Sequence, residues 1–203
     1  MWMEFLIAVL IIEITPGPNL GYLAALSATR GRAAGLAATA GVALGLSTHA
    51  VAATFGVGAL VASSAWAYEM LRWGGVMFLV WLAYEGWRDE GETSPADARL
   101  HDHAGLFWRG FWTNVLNPKS ALFFVTVVPR FLDPTHPETL RLAHLGAMYV
   151  GVATGVHAGV VLLASQLQPI LTRGSRQRIL RRGLALTLLG IALWLAWGTA
   201  RPA

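Results

Sequence analysis

The sequence predicts an all-α integral membrane protein. Six transmembrane helices are expected, arranged as two inverted three-helix repeats, with helices 1 and 4 interrupted by proline. Three observations predict this. Of 203 residues, 55% are hydrophobic and only 13% charged, about half the charged share of a soluble domain. A chain of this size folded in water leaves much of its surface exposed, so lipid is the solvent that fits. The apolar residues also fall into six runs joined by short polar linkers, and the first and fourth runs carry matching proline-bearing breaks.

The runs lie near 5–27, 35–61, 71–87, 107–131, 143–166 and 183–199, each close to the roughly 20 residues that cross a bilayer. The first begins almost at Met1. Glu4 stands where a cleaved signal carries positive charge, so the segment reads as a mature span. The linkers hold most of the arginines. Arg30, Arg32, Arg88, Arg99, Arg109, Arg173, Arg176, Arg178, Arg181 and Arg182 fall on one side, and Arg72, Arg130, Arg141 and Arg201 on the other. The positive-inside rule makes the first side cytoplasmic and places both termini outside. A basic chain often binds nucleic acid, but charge lying between apolar runs fits membrane orientation better. No cysteine is present, which excludes disulfides, thiolate metal sites and cysteine catalysis.

Repeat one covers about 1–88, a cytoplasmic loop about 89–105, and repeat two about 106–203. Each repeat opens with a proline-interrupted helix. The second helix of each then carries small residues and a histidine: Gly41, Gly45 and His49 in one, Gly151, Gly155 and His157 in the other. An odd number of spans per repeat forces opposite orientations, the plan of many secondary transporters. The glycines read as close-packing positions, and such faces permit a homodimer.

Chemistry concentrates at the two breaks. In Thr15-Pro16-Gly17-Pro18-Asn19 the prolines remove two backbone donors from the middle of the first span. Lipid tolerates such a break only where protein or a water-filled cavity satisfies the freed groups. Thr15 followed by Pro16 reads as an N-cap and first helical residue. That would start a second half-helix with its positive end at mid-membrane. Asn117-Pro118-Lys119 repeats the pattern in the fourth span, with Asn114 one turn earlier. Lys119 is the only lysine in the chain. An intramembrane charge costs between about 2.5 and more than 10 kcal/mol by different measures, so it calls for a function. Two helix N-termini and an ammonium together make a receptor for a carboxylate. The alternative is a pair of ordinary proline kinks.

Glu13 lies two residues before the first break. It can bind a substrate ammonium, pair with Lys119, carry a coupled proton, or sit neutral against a neighbouring helix. His49 and His157 can relay protons or simply bond across helix interfaces. His101-Asp102-His103, with Glu90, Glu92 and Asp97, shows no diagnostic metal spacing and reads as a solvated loop. Ser47 and His49, two apart on a helix, point to different faces, which argues against a hydrolase.

At these breaks the chain resembles the lysine/threonine exporter family, the LysE or RhtB translocators. The matching features are Thr15 to Asn19, the glycine-rich stretch Gly31 to Gly45, and Gly110-Phe111. Asn114-Val115-Leu116-Asn117-Pro118-Lys119, Leu122-Phe123-Phe124 and Pro129-Arg130-Phe131 also match. The resemblance implies an inner-membrane, six-helix exporter of amino acids, exchanging them for protons, with both proline sites facing the transport path. The chain departs from the family at Arg130, where glutamine is usual. It departs again at Phe78 to Ala83, where a Tyr-Leu-x-x-Leu-Gly pattern is usual, and Glu13 belongs to no shared motif.

The expectation is a secondary exporter working by alternating access, with no enzyme activity, cofactor, metal or nucleic-acid partner. Thr15, Pro16, Gly17, Pro18, Asn19, Asn114, Asn117, Pro118 and Lys119 form the expected translocation site, and Glu13, His49 and His157 are candidate proton-coupling groups. Partners are the amino acid, protons and the lipid bilayer. An inorganic cation exporter or a non-transporting scaffold are the alternatives.

Overall fold

A computed structural model describes residues 2–15, 17–55, 64–88, 98–132, 138–171 and 176–198. Among these residues the chain is helical and has no strand. The helices are α1 (Trp2–Ile14), α2 (Pro18–Arg30), α3 (Arg32–Thr54), α4 (Ala65–Arg88), α5 (Ala98–Val115), α6 (Pro118–Thr126), α7 (Glu138–Ser165), α8 (Gln168–Leu171) and α9 (Arg176–Gly198). A 3₁₀ turn over Val128–Phe131 follows α6. By length and composition α3 and the Thr139–Ser165 part of α7 can each cross a membrane, and α1 with α2 can do so as one bent span.

The surface is that of a membrane protein. All nine tryptophans are exposed, by 45% to 81%, together with Ile7, Ile11, Leu163 and Leu186. In water such a surface would aggregate, whereas in a bilayer it faces lipid and its interfaces.

The first expected span is broken. Thr15 ends α1, its Oγ1 donating to the Ile11 carbonyl at 2.7 Å and its backbone N–H to the same carbonyl at 3.1 Å. The chain then turns by 57° into α2. Gly17, extended at φ −165°, caps α2 without a side-chain bond, and Pro18 takes the first turn. This corrects the expected Thr15 cap. A hydroxyl already bonded back to its own helix cannot cap the next one, and Pro18 suits the first position as well as Pro16 does. Pro16 lies outside the described residues. The fourth span breaks as expected. Asn117 caps α6, its Oδ1 accepting from the Lys119 backbone N–H at 3.0 Å, with Pro118 in the first turn. Such a cap is worth about 1 kcal/mol.

Helix α3 lies at the centre, packed on α5 and α7. Its crossing with α5 needs glycine on both sides. A Cβ at Gly41 would overlap the Phe107 carbonyl, and one at Gly110 the Ala38 carbonyl. Helix α4 pairs with α9, where Arg72 donates to the Ala196 carbonyl at 2.6 Å. The matching glycines of α7 behave differently. A Cβ at Gly151 or Gly155 would meet nothing within 4 Å. They lie on the face turned away from the buried Tyr149, Ala153 and His157, and among the described residues no helix closes on them. The third linker is shorter than expected, because α5 already begins at Ala98, while 89–97, including Glu90, Glu92 and Asp97, lies outside the described residues.

Candidate translocation site

The two breaks meet. Lys119 Nζ, at the start of α6, donates to the Thr15 carbonyl at the end of α1, 2.7 Å away. The ammonium thus closes a carbonyl that the helix break leaves without a partner. A Cβ on Gly17 would lie 3.4 Å from Lys119 Nζ, in ordinary contact, so the lysine lies directly across the break.

Beside this contact lies a small, partly open pocket lined by Glu13, Gly17, Asn19, Leu20, Asn117, Lys119, Ser120 and His157. Its free space is about that of one water molecule, far below the roughly 300–1,000 Å³ of most ligand pockets. A substrate would therefore need the walls to part. The N-termini of α2 and α6 both contribute to it, and their first N–H groups have no intrahelical acceptor.

Glu13 is 5% exposed and is held from α7. Tyr149 donates its hydroxyl to Glu13 Oε1 at 2.6 Å. His157 Nε2 lies 3.1 Å from Oε2 without hydrogen-bond alignment, and its Nδ1 has no partner. Tyr149 is fixed in turn by stacking on Phe123 at 4.5 Å. Below the pocket, Asn114 Nδ2 donates to Ser120 Oγ at 3.2 Å. A carboxylate, an ammonium, an imidazole and three neutral polar side chains therefore border one small space. That set can receive a zwitterion and move a proton.

Of the expected site residues, the pocket gathers Gly17, Asn19, Asn117, Lys119, Glu13 and His157. Thr15 supplies its carbonyl, and the buried Pro18 and Pro118 start the helices. Asn114 lies behind the wall through Ser120. His49 lies outside the lining: its Nε2 is 3.2 Å from the Asn114 carbonyl and its ring stacks on Phe124. Tyr149 and Ser120 were not singled out from the sequence. Tyr149 lies two turns before His157 on the same side of α7, a spacing that would have linked them.

The profile of the LysE type translocators matches residues 10–199. The chain belongs to the LysE-type translocators. An uncharacterized membrane protein of Vibrio cholerae is 32% identical over 82% of both chains. A homoserine/homoserine lactone efflux protein of Salmonella typhimurium is 26% identical over 82% of this chain and 81% of its own. An arginine exporter of Serratia proteamaculans is 31% identical over 70% and 71%. No solved structure gives a significant match. Members of this family are membrane transporters rather than enzymes, and those with a named activity here export amino acids. The apolar helices are consistent with the bacterial inner membrane.

Proposed function

We propose that this LysE-type protein is a proton-coupled exporter of amino acids that works by alternating access. Six spans form two inverted repeats, with α1–α2 and α5–α6 as the broken helices and both termini outside. The substrate carboxylate binds the N-termini of α2 and α6 and Lys119, and its ammonium faces Glu13. Glu13 with His157 carries the exchanged proton. One observation carries this reading: Lys119 joins the two helix breaks at the edge of a pocket that also holds Glu13. Both charges are poorly placed for a purely structural role, because a bilayer penalises each of them.

Proteoliposomes loaded with a labelled amino-acid panel test the proposal. Export that changes with the pH gradient is expected for at least one amino acid, and no pH-dependent flux for any would refute it. Lys119→Ala is expected to insert normally and lose most flux. Wild-type flux in that variant would remove Lys119 from the mechanism.

A further inference from the structure

We infer that the arginine-rich end of the molecule binds the headgroup phosphate of an anionic phospholipid, with Arg182 at the seam of α4 and α9 as the anchor. The inference concerns a second surface, away from the pocket, and stands or falls separately from the exporter reading.

The helix contacts bring arginines from distant parts of the chain to one end. Arg72 bonds to the Ala196 carbonyl, and Arg182 lies over Trp87, so α4 and α9 run antiparallel along their shared seam. On another side of α9, a Cβ at Gly21 of α2 would overlap Ile191. Where α2 ends, a Cβ at Gly31 would overlap Gln168 of α8, the helix that precedes α9. Arg30 and Arg32, on either side of Gly31, therefore share this end with Arg88, the last residue of α4. The four arginines in the first two turns of α9 lie there as well. Between residues 85 and 102 stand six carboxylates, fewer than the ten arginines assigned to the same side, so the balance is positive.

Net charge alone would serve to orient the chain in the membrane. The Arg182 contact offers more than charge. Its guanidinium carbon lies 5.0 Å from the centre of the Trp87 ring, within the range of a cation–π contact. Both side chains are exposed, and among the described residues Arg182 has no carboxylate partner. An arginine held on an aromatic face keeps its N–H fork for a second partner. That fork fits two oxygens of a phosphate in bidentate fashion. Tryptophan favours the depth of the lipid headgroups, so Trp87 sets the fork where lipid phosphates lie. Choline and glycerol headgroups share that phosphate, but choline adds a cation that the neighbouring arginines repel. A net-negative headgroup is therefore the one this end prefers.

The full chain, purified in nonionic detergent, is titrated with phosphatidylglycerol, with phosphatidylcholine of the same acyl chains, and with inorganic phosphate. Bound lipid is counted by native mass spectrometry, and melting temperature is followed in parallel. Wild type is expected to retain phosphatidylglycerol about tenfold better than phosphatidylcholine. Inorganic phosphate should raise the melting temperature no more than chloride at equal ionic strength. Arg182→Gln, at an exposed position, should melt like wild type without lipid and lose about fivefold of the preference. Arg99→Gln removes the same charge from the first turn of α5 and should change the preference by less than about twofold. Equal retention of the two lipids by wild type overturns the inference; the acidic stretch 85–102 covering the arginines would give that result. Equal losses in Arg182→Gln and Arg99→Gln also overturn it, because the general field alone would then attract the lipid. Stabilisation by inorganic phosphate as large as by phosphatidylglycerol overturns it too, as the partner would then be a free anion.

Discussion

Removing one oxygen atom from Tyr149 separates its two roles. Tyr149→Phe deletes the hydroxyl that donates to Glu13 at 2.6 Å but keeps the ring stacked on Phe123 at 4.5 Å and edge-on to Phe124. The fold should therefore survive. A hydrogen bond to a charged group in a protein is worth about 1.5–3 kcal/mol. Side-chain bonds between membrane helices average nearer 0.6 kcal/mol, with about 1.7 kcal/mol as the largest measured. Tyr149 is 1% exposed and its acceptor is a buried carboxyl, so the upper part of the membrane range applies. That is about 1–1.7 kcal/mol, a factor of roughly 5–20 in any equilibrium that depends on the α1–α7 contact. Initial export rates in proteoliposomes at several values of lumenal pH read this effect. A several-fold loss of flux with an altered pH profile, and a melting temperature in detergent close to wild type, is the expected result. Wild-type flux and pH profile would refute the reasoning, because the hydroxyl would then hold nothing that transport uses.

Glu13→Gln keeps an oxygen to accept from Tyr149 but cannot exchange a proton; its residual export is expected to be independent of pH, measured with imposed gradients. Retention of the wild-type pH response would remove Glu13 from coupling. His49→Phe keeps a ring beside Phe124 and loses the contact with the Asn114 carbonyl. Export should persist with a stability loss of about 0.6–1.7 kcal/mol, and a collapse of pH-driven flux would instead make His49 part of the proton route. Gly41→Leu drives a side chain into the Phe107 carbonyl. It should cost at least about 1–3 kcal/mol, seen as a lower melting temperature in detergent; an unchanged one would mean that α3 and α5 are not in close contact.

The sequence carried what short-range chemistry decides. Asn117 capping α6 was readable because cap and helix are neighbours in the chain. The sequence locates the first break, but the cap it suggests, Thr15, lies two residues before the one the structure uses, Gly17. Thr15 and Gly17 both precede a proline, and only the fold shows the Thr15 hydroxyl spent on Ile11. The meeting of Lys119 with Thr15 spans 104 positions, and that of Tyr149 with Glu13 spans 136. No local pattern encodes either. Matched depth of the two breaks pointed toward the first, while a tyrosine among apolar residues gave no hint of the second. The glycines were half legible: Gly41 packs against α5, whereas Gly151 and Gly155 share its spacing yet face outward. Spacing describes a face and cannot say which neighbour covers it.

Lys119 lying on the Thr15 carbonyl has a consequence for the unloaded protein. Under the proposed mechanism an arriving carboxylate would not find a bare cation; it would have to displace a strap that the chain already wears. The affinity measured is then only the difference between the two bonds, and it should be weak for a site so rich in polar groups. Weak retention suits a protein whose task is to let go on the far side. Under the proposed alternating access the empty form would also reset with its ammonium already covered, so the journey back would incur little of the penalty that an exposed charge would meet in oil.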